Sequence, residues 1–350
     1  MQNRLENMTK FRLFWPLAAL AMMVLFNIIF VPDFLHIEMK NGILFGRIID
    51  IFNRGAPLML MAIGMTLVIA TGGIDISVGS VAAISGAVAC MLIGRNAEGT
   101  ASNPMWLAIA LALLVTVATG LWNGLLVAKL GIQPVIATLV LFVAGRGIAQ
   151  LITAGQIAKI NYKPYEWIGT FVPGIPLPFS IIIAAAVLII VLIVLKKTAL
   201  GLFIEAVGIN PQASRFTGIN VIKIKMLVYT FSGLCAGIAG LIITSMIRGA
   251  DANNAGDGME MDAILAVAMG GTMITGGKFS IGASVTGALM VQSITTTMYA
   301  IGISSHVLPL VKAVVVILIC LLQSETFRRK VAGLVVMKRG GERENTAIKL

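Results

Sequence analysis

The sequence predicts an all-α, polytopic helical membrane protein with about ten transmembrane helices. Three observations carry that expectation. Of 350 residues, 58% are apolar and only 12% are charged, about half the roughly 25% charge of a soluble chain. The apolar residues fall in long blocks, near 13–31, 56–71, 74–94, 105–128, 132–154, 178–195, 225–247, 260–275, 281–303 and 307–322. Most approach the ~20 residues an α-helix needs to cross ~30 Å of hydrocarbon. The ~10-residue alternating segments of a transmembrane barrel are absent from the pattern.

Taken in order, the first block carries Trp15-Pro16 at its start and Phe30-Val31-Pro32 at its end, with no small-residue cleavage site. It reads as a first span, not a removable leader. The second and third blocks are divided by Thr71-Gly72-Gly73, the eighth and ninth by Thr275-Gly276-Gly277. Each is a short apolar segment, then Thr-Gly-Gly, then a small-residue-rich apolar segment. The recurrence suggests a weak internal duplication. Paired Gly-interrupted segments in two halves point to a transport path, and tight cytoplasmic turns would use glycine equally well. The sequence leaves both open. Gly79, Ala83 and Ala87, like Gly233 and Gly237, place small residues four apart, the spacing that lets helices approach closely. The whole chain, 1–350, reads as one transmembrane domain with an inside loop at 196–224.

The net charge of +11 would suggest nucleic acid on a soluble protein. Sorted by side, it does not. With both termini cytoplasmic, the inside segments 1–12, 129–131, 196–225, 276–280 and 323–350 hold seventeen basic and five acidic residues, a net of +12. The outside segments net −1, and Asp75, Arg146, Asp262 and Lys312, in or beside apolar blocks, cancel. The positive-inside rule then gives an even number of spans and cytoplasmic termini. Cys90, Cys235 and Cys320 sit inside apolar blocks, and His36 and His306 lie far apart. No metal-ligand spacing, catalytic triad or cofactor motif is present, so no metal, cofactor or catalytic residue is assigned.

A charge at a helix centre costs roughly 2.5–3.5 kcal/mol on insertion scales, so it faces protein, water or a partner. Asp75 and Asp262 lie near block ends, where a solvated interfacial carboxylate is the simplest reading. Arg146 sits mid-block and reads as structural or path-lining. No ladder of carboxylates marks a proton relay, which weighs against a secondary carrier, and no clustered acid–base set marks a membrane enzyme.

The inside loop 196–224 is the most informative segment. Gly208 reads as a helix stop in a left-handed position. Asn210 is a good N-cap with Pro211 at the first helical position, and Gly218 closes a two-turn helix over 211–217. Asn220 then caps the next helix. So short a helix needs something to dock on.

The loop resembles the cytoplasmic coupling segment of sugar-importing ABC permeases of the ribose/xylose/arabinose family, through Ala199-Leu200-Gly201, Ala206-Val207-Gly208, Asn210, Ala213, Arg215 and Gly218-Ile219. The run from Thr71 to Ser80 resembles the family's first signature, with Ile76 where Leu is usual. Trp122-Asn123-Gly124 through Ile132-Gln133-Pro134 and Arg146-Gly147 resemble its central block. Met261-Asp262-Ala263-Ile264 through Gly276-Gly277 resemble its later one, departing at Met273 and at Lys278-Phe279-Ser280. Residues 143–156 and 247–256 look most like the galactofuranose branch. Asn253 and Asn254 in the latter offer amides suited to sugar hydroxyls, and also suit an Asx-rich surface turn.

The resemblance implies a multi-pass permease of the bacterial inner (plasma) membrane, working with a cytoplasmic ATPase, an extracytoplasmic sugar-binding protein and a second permease subunit, identical or not. The chain has no Walker A pattern, so ATP hydrolysis is expected in a separate subunit. Glu205, Ala206, Val207, Gly208, Asn210, Arg215 and Gly218 are the expected ATPase-coupling residues. Asp75, Asn123, Arg146, Asn253, Asn254 and Asp262 are the candidates for the path or the substrate. The cargo is expected to be galactofuranose-like, with another pentose or hexose as the alternative and an ion-coupled sugar carrier behind it.

Overall fold

The computed structural model describes residues 14–40, 42–94, 101–304 and 306–323. The tails 1–12 and 324–350, with ten of the seventeen basic residues expected on the inner face, lie outside them. The described residues form thirteen helices in the order α1 (Phe14–Phe30), α2 (Arg47–Ala70), α3 (Val78–Ile93), α4 (Met105–Ala128), α5 (Pro134–Ile152), α6 (Lys163–Glu166), α7 (Phe179–Lys197), α8 (Leu200–Ile209), α9 (Pro211–Phe216), α10 (Val221–Met246), α11 (Met259–Met269), α12 (Ile281–Ala300) and α13 (Leu308–Gln323). Two small antiparallel ribbons join them. β1 (Glu38–Lys40) pairs with β2 (Ile43–Phe45), and β3 (Ala158–Lys159) pairs with β4 (Gly249–Ala250).

Each of the ten apolar blocks contains one helix, and among the described residues α2, α4, α5, α7 and α10 are long and apolar enough to cross a membrane. The differences from the expected boundaries have physical causes. α2 starts at Arg47, not near 56, because a helix continues through polar turns carrying Arg47, Asp50 and Arg54 that hydropathy does not register. The blocks at 74–94 and 260–275 are helical only from Val78 and only to Met269. Residues 74–77 and 270–275 are apolar enough to extend a block, yet none of 71–77 or 270–280 is helical. Gly72, Gly271, Gly276 and Gly277 there have positive φ, which a helix cannot use.

α10 runs through the centre, against α2, α3 and α4. Its approach to α4 requires glycine. A Cβ on Gly233 would fall 2.4 Å from the Thr116 carbonyl oxygen and 2.9 Å from Gly120 Cα. Gly240 lies equally close to α3, where a Cβ would meet the Ala82 carbonyl oxygen at 2.1 Å. The small-residue spacing is therefore packing, as close helix approach in a bundle demands.

α1 is held to α12 by a polar clamp. Buried Asn27 donates to Ser293 Oγ at 3.3 Å and accepts from Thr297 Oγ1 at 2.5 Å. Interhelical hydrogen bonds in membranes average ≈ 0.6 and reach ≈ 1.7 kcal/mol. Asn27→Leu is expected to cost about 1–3 kcal/mol in detergent unfolding, and an unchanged midpoint would leave α1 held by apolar contact alone.

Candidate functional site

With 26 residues, α10 is about 39 Å long at 1.5 Å per residue. It separates the sequence-predicted coupling segment at its N-terminal end from the amide-rich loop at its C-terminal end. Between them lies a break in the bundle.

That break is the link 71–77 between α2 and α3. Asp75 is 2% exposed, so it is not the solvated interfacial carboxylate expected from its place near a block end. Its Oδ1 accepts from the Ser77 amide at 3.1 Å and the Ser77 hydroxyl at 2.6 Å, and its Oδ2 accepts from Ser232 Oγ at 3.0 Å. Asn123 Nδ2 of α4 donates to Ser77 Oγ at 2.9 Å. The Ile76 amide donates to Thr138 Oγ1 of α5 at 3.2 Å. Ser232 sits mid-way along α10, so this irregular backbone is at bundle depth, where backbone polar groups must be satisfied inside the protein. Asp75 and Asn123 therefore share one buried network. Gly73 completes it, since a Cβ there would fall 2.3 Å from the buried Tyr229 hydroxyl. Tyr229 Oη and Asn123 Oδ1 have no hydrogen-bond partner among the described residues.

The amide-rich loop also enters the bundle. Ala252 and Ala255 pack with Ala83, Ile84 and Ala87 of α3 and Ala149 of α5. Farther along, Gly256 touches Gly79, where a Cβ would lie 2.4 Å from the Gly256 carbonyl oxygen. From Ala87 to Gly79 is about 12 Å along α3. The eleven residues of α11 span about 16 Å, so α11 is a half-length helix that starts inside the bundle.

Arg146 on α5 pins this segment. Its Nη1 donates to the Ala252 carbonyl at 3.1 Å and the Ala255 carbonyl at 2.7 Å, and its Nη2 lies 3.8 Å from Asp257 Oδ1. Gln150, one turn on, donates to Asn253 Oδ1 at 2.6 Å. Asp251 heads the segment and accepts from the Asn253 and Asn254 amides at 3.0 and 3.2 Å and from Asn254 Nδ2 at 2.8 Å. The Asn254 side-chain amide holds the Asp251 carboxyl below the usual carboxylate range, against a smaller opposing effect of burial. Asp251 thus closes an Asx turn over Asn253 and Asn254, as the surface-turn reading allows, and the side chains of both asparagines remain exposed.

Asp262 belongs to neither cluster. It accepts from Lys312 Nζ of α13 at 2.6 Å, and this half-buried pair ties α11 to α13.

Sequence reasoning missed Glu260. At the start of α11 it is 3% exposed, and its Oε2 has no hydrogen-bond partner among the described residues. A Cβ on Gly79 would meet that oxygen at 2.3 Å. Counted as a loop charge, it gave no signal of burial. Gln150, Ser232 and Tyr229 were missed because uncharged polar residues in apolar blocks are commonplace.

In the segment 196–224, the side chain of Asn210 accepts from the Gln212 and Ala213 amides, both at 3.0 Å, with Pro211 at the first position of α9. Gly218 closes α9 with φ +84°, and Asn220 caps α10 through the Lys223 amide at 3.0 Å. Gly208 differs from expectation. It is not a left-handed stop but lies within α8, one residue before the end. Glu205 and Ala206 lie half-buried on α8 and Val207 is buried, whereas Arg215 on α9 is exposed.

A family model described as "Branched-chain amino acid transport system / permease component" matches residues 47–322. The galactofuranose transporter permease protein YtfT of Escherichia coli strain K12 is 47% identical over 330 residues, 93% of this chain and 95% of that protein. The fructose import permease protein FruF of Bifidobacterium longum is 42% identical, over 92% of this chain and 90% of that protein. The ribose import permease protein RbsC of E. coli strain K12 is 37% identical, over 81% and 88%. No solved structure matches.

Proposed function

The chain belongs to the family of branched-chain amino acid transport system permease components, and from that premise we propose that it is the permease subunit of an ATP-binding-cassette importer for a monosaccharide. It is a multi-pass transport protein of the bacterial inner membrane, with ATP hydrolysis in a separate cytoplasmic subunit. The relatives handle galactofuranose, fructose and ribose by name. Galactofuranose or a similar sugar is the first choice, given the highest of these identities. Ten spans with cytoplasmic termini, one domain over 1–350, a second permease subunit and an extracytoplasmic binding protein complete the reading. The two Thr-Gly-Gly breaks are its internal duplication.

One observation carries it beyond family membership. Exposed Asn253, Asn254 and Asp257 lie on a segment that enters the bundle, with half-buried Gln150 of α5 bonded to Asn253. Irregular, polar backbone at membrane depth is tolerated only against protein or a water-filled cavity. This face is therefore assigned to the sugar path, with amides and a carboxylate suited to hydroxyl groups. At the other end of α10, Phe216 is 90% exposed, and Arg215 on the same helix and Ile209 and Leu202 on α8 are exposed too. An aromatic displayed on a capped two-turn helix suits a hot spot for the ATPase.

The test is reconstitution in proteoliposomes with the ATPase and the binding protein. Wild-type protein is expected to take up sugar only with ATP. Phe216→Ala or Arg215→Glu is expected to weaken ATPase binding by about 2 kcal/mol or more, some thirtyfold, with the permease still folded. Normal uptake in both variants would remove α9 from the docking surface. Uptake on an ion gradient with no ATPase present would make the protein a secondary carrier.

A further inference from the structure

The two Thr-Gly-Gly turns, about 200 residues apart in sequence, touch each other, and the end of α8 touches both. The Ala70 carbonyl, at the C-terminus of α2, accepts from the Gly277 amide at 2.9 Å. Helix ends leave their last carbonyls without intrahelical partners, so one break supplies the bond the other lacks. A Cβ on Gly276 would meet Gly72 N at 2.9 Å, Gly72 Cα at 3.0 Å and the Gly208 carbonyl oxygen at 3.1 Å. A Cβ on Gly208 itself would fall 1.8 Å from the Ala70 carbonyl oxygen and 2.5 Å from Gly277 N. The obstacles are all backbone, which a side-chain rotation cannot move aside.

The link to the docking helix has no slack. Asn210 alone separates α8 from α9. Its amide donates to the Ala206 carbonyl at 3.1 Å, closing α8, while its side chain caps α9. α9 therefore cannot shift far without carrying the end of α8 with it.

We infer that Gly208 is a positioning residue for transport, through which the docking segment moves both chain breaks together. This rests on the reading of 196–224 as the ATPase-facing segment. A displacement of α9 reaches the Ala70–Gly277 hydrogen bond through backbone contacts that are close-packed and so transmit strain. From there it acts on the cytoplasmic ends of α2 and α11. One side leads by way of 71–77 to the Asp75 network. The other leads up α11 to Glu260 and the segment held by Arg146. Gly208 and Gly276 are needed at this junction because three backbones converge there, and for Gly276 not only because its turn has positive φ.

Two variants test it, in proteoliposomes holding the ATPase and the sugar-loaded binding protein. In the first, Gly208→Ala, a methyl group holds α8 off both turns. In the second, two glycines inserted between Ile209 and Asn210 leave the junction intact but uncouple α9 from it. The insertion variant is expected to keep the ATPase bound and hydrolysing at its basal rate. Both should lose stimulation by the loaded binding protein and cut ATP-driven uptake on the order of tenfold or more, within the span of ordinary allosteric couplings. Wild-type uptake by either variant overturns the inference. So does loss of the ATPase from the insertion variant, because docking would then depend on the α8–α9 link and not on α9's own surface. If Gly208→Ala does not fold, the insertion variant decides alone. Failure of the importer reading shows separately, as wild-type uptake that needs no ATPase.

Discussion

Asp75→Leu is expected to destabilise the protein by about 3–5 kcal/mol and to abolish uptake, whereas Asp75→Asn is expected to stay within about 1 kcal/mol of wild type. Leucine removes the acceptor for the Ser77 amide, the Ser77 hydroxyl and the Ser232 hydroxyl. Buried donors without partners cost about 1–3 kcal/mol each, and hydroxyls recover part of that by rotating. The Ser77 amide cannot turn, because it belongs to the backbone at the entry to α3. Asparagine keeps Oδ1 for both Ser77 donors and presents an N–H to Ser232 Oγ, which accepts as well as it donates. Thermal unfolding in detergent and proteoliposome uptake check the pair. An asparagine variant that is folded but inactive would mean that the carboxylate serves transport directly. A leucine variant with normal stability would mean that the link 71–77 is held by its apolar neighbours.

The contrast between these variants shows which parts of the molecule were legible in the sequence. Helix existence was legible, because every apolar block of about twenty residues holds a helix. The caps at Asn210 and Asn220 and the glycine stop at 218 were legible because capping is local chemistry. What hydropathy could not register was the interruption of an apolar run. Ile74, Ile76, Val78, Met273 and Ile274 score as membrane whether they are helical or not. The breaks were thus seen as Gly-rich turns without their depth. Burial of Asp75 was hidden for the same reason. Its partner Ser232 is 157 residues away, and nothing local distinguishes a buried carboxylate from an interfacial one. Gly208 was misread because a glycine near a helix end usually supplies a left-handed residue. Here the reason for glycine lies in two turns distant in sequence. Glu260 gave no local sign at all.

Arg146 makes the second large prediction. Arg146→Ala is expected to release 251–258 from α3 and α5, because one guanidinium bridges the carbonyls of Ala252 and Ala255 while facing Asp257. Hydrogen bonds to a charged donor contribute about 1.5–3 kcal/mol each, so losing two raises the open population by roughly 10²–10⁴. The rest of the bundle should stay folded, since α10 packs directly against α2, α3 and α4. Arg146→Lys is expected to fall between, because one ammonium can stand in for the two bonds from Nη1 but has no second nitrogen to face Asp257. Ala255 is buried in this arrangement, so Ala255→Cys supplies a reporter. Maleimide should label it slowly in the parent and much faster once Arg146 is replaced, with lysine intermediate. The transport consequence depends on which state binds sugar. If the pinned segment forms the sugar-binding face, Arg146→Ala raises KM more than it lowers the maximal rate. If the pin is a closed gate, Arg146→Ala instead leaks sugar without ATP. Labelling that does not change with residue 146 would show that the alanine contacts with α3, not the guanidinium, hold the segment in the bundle.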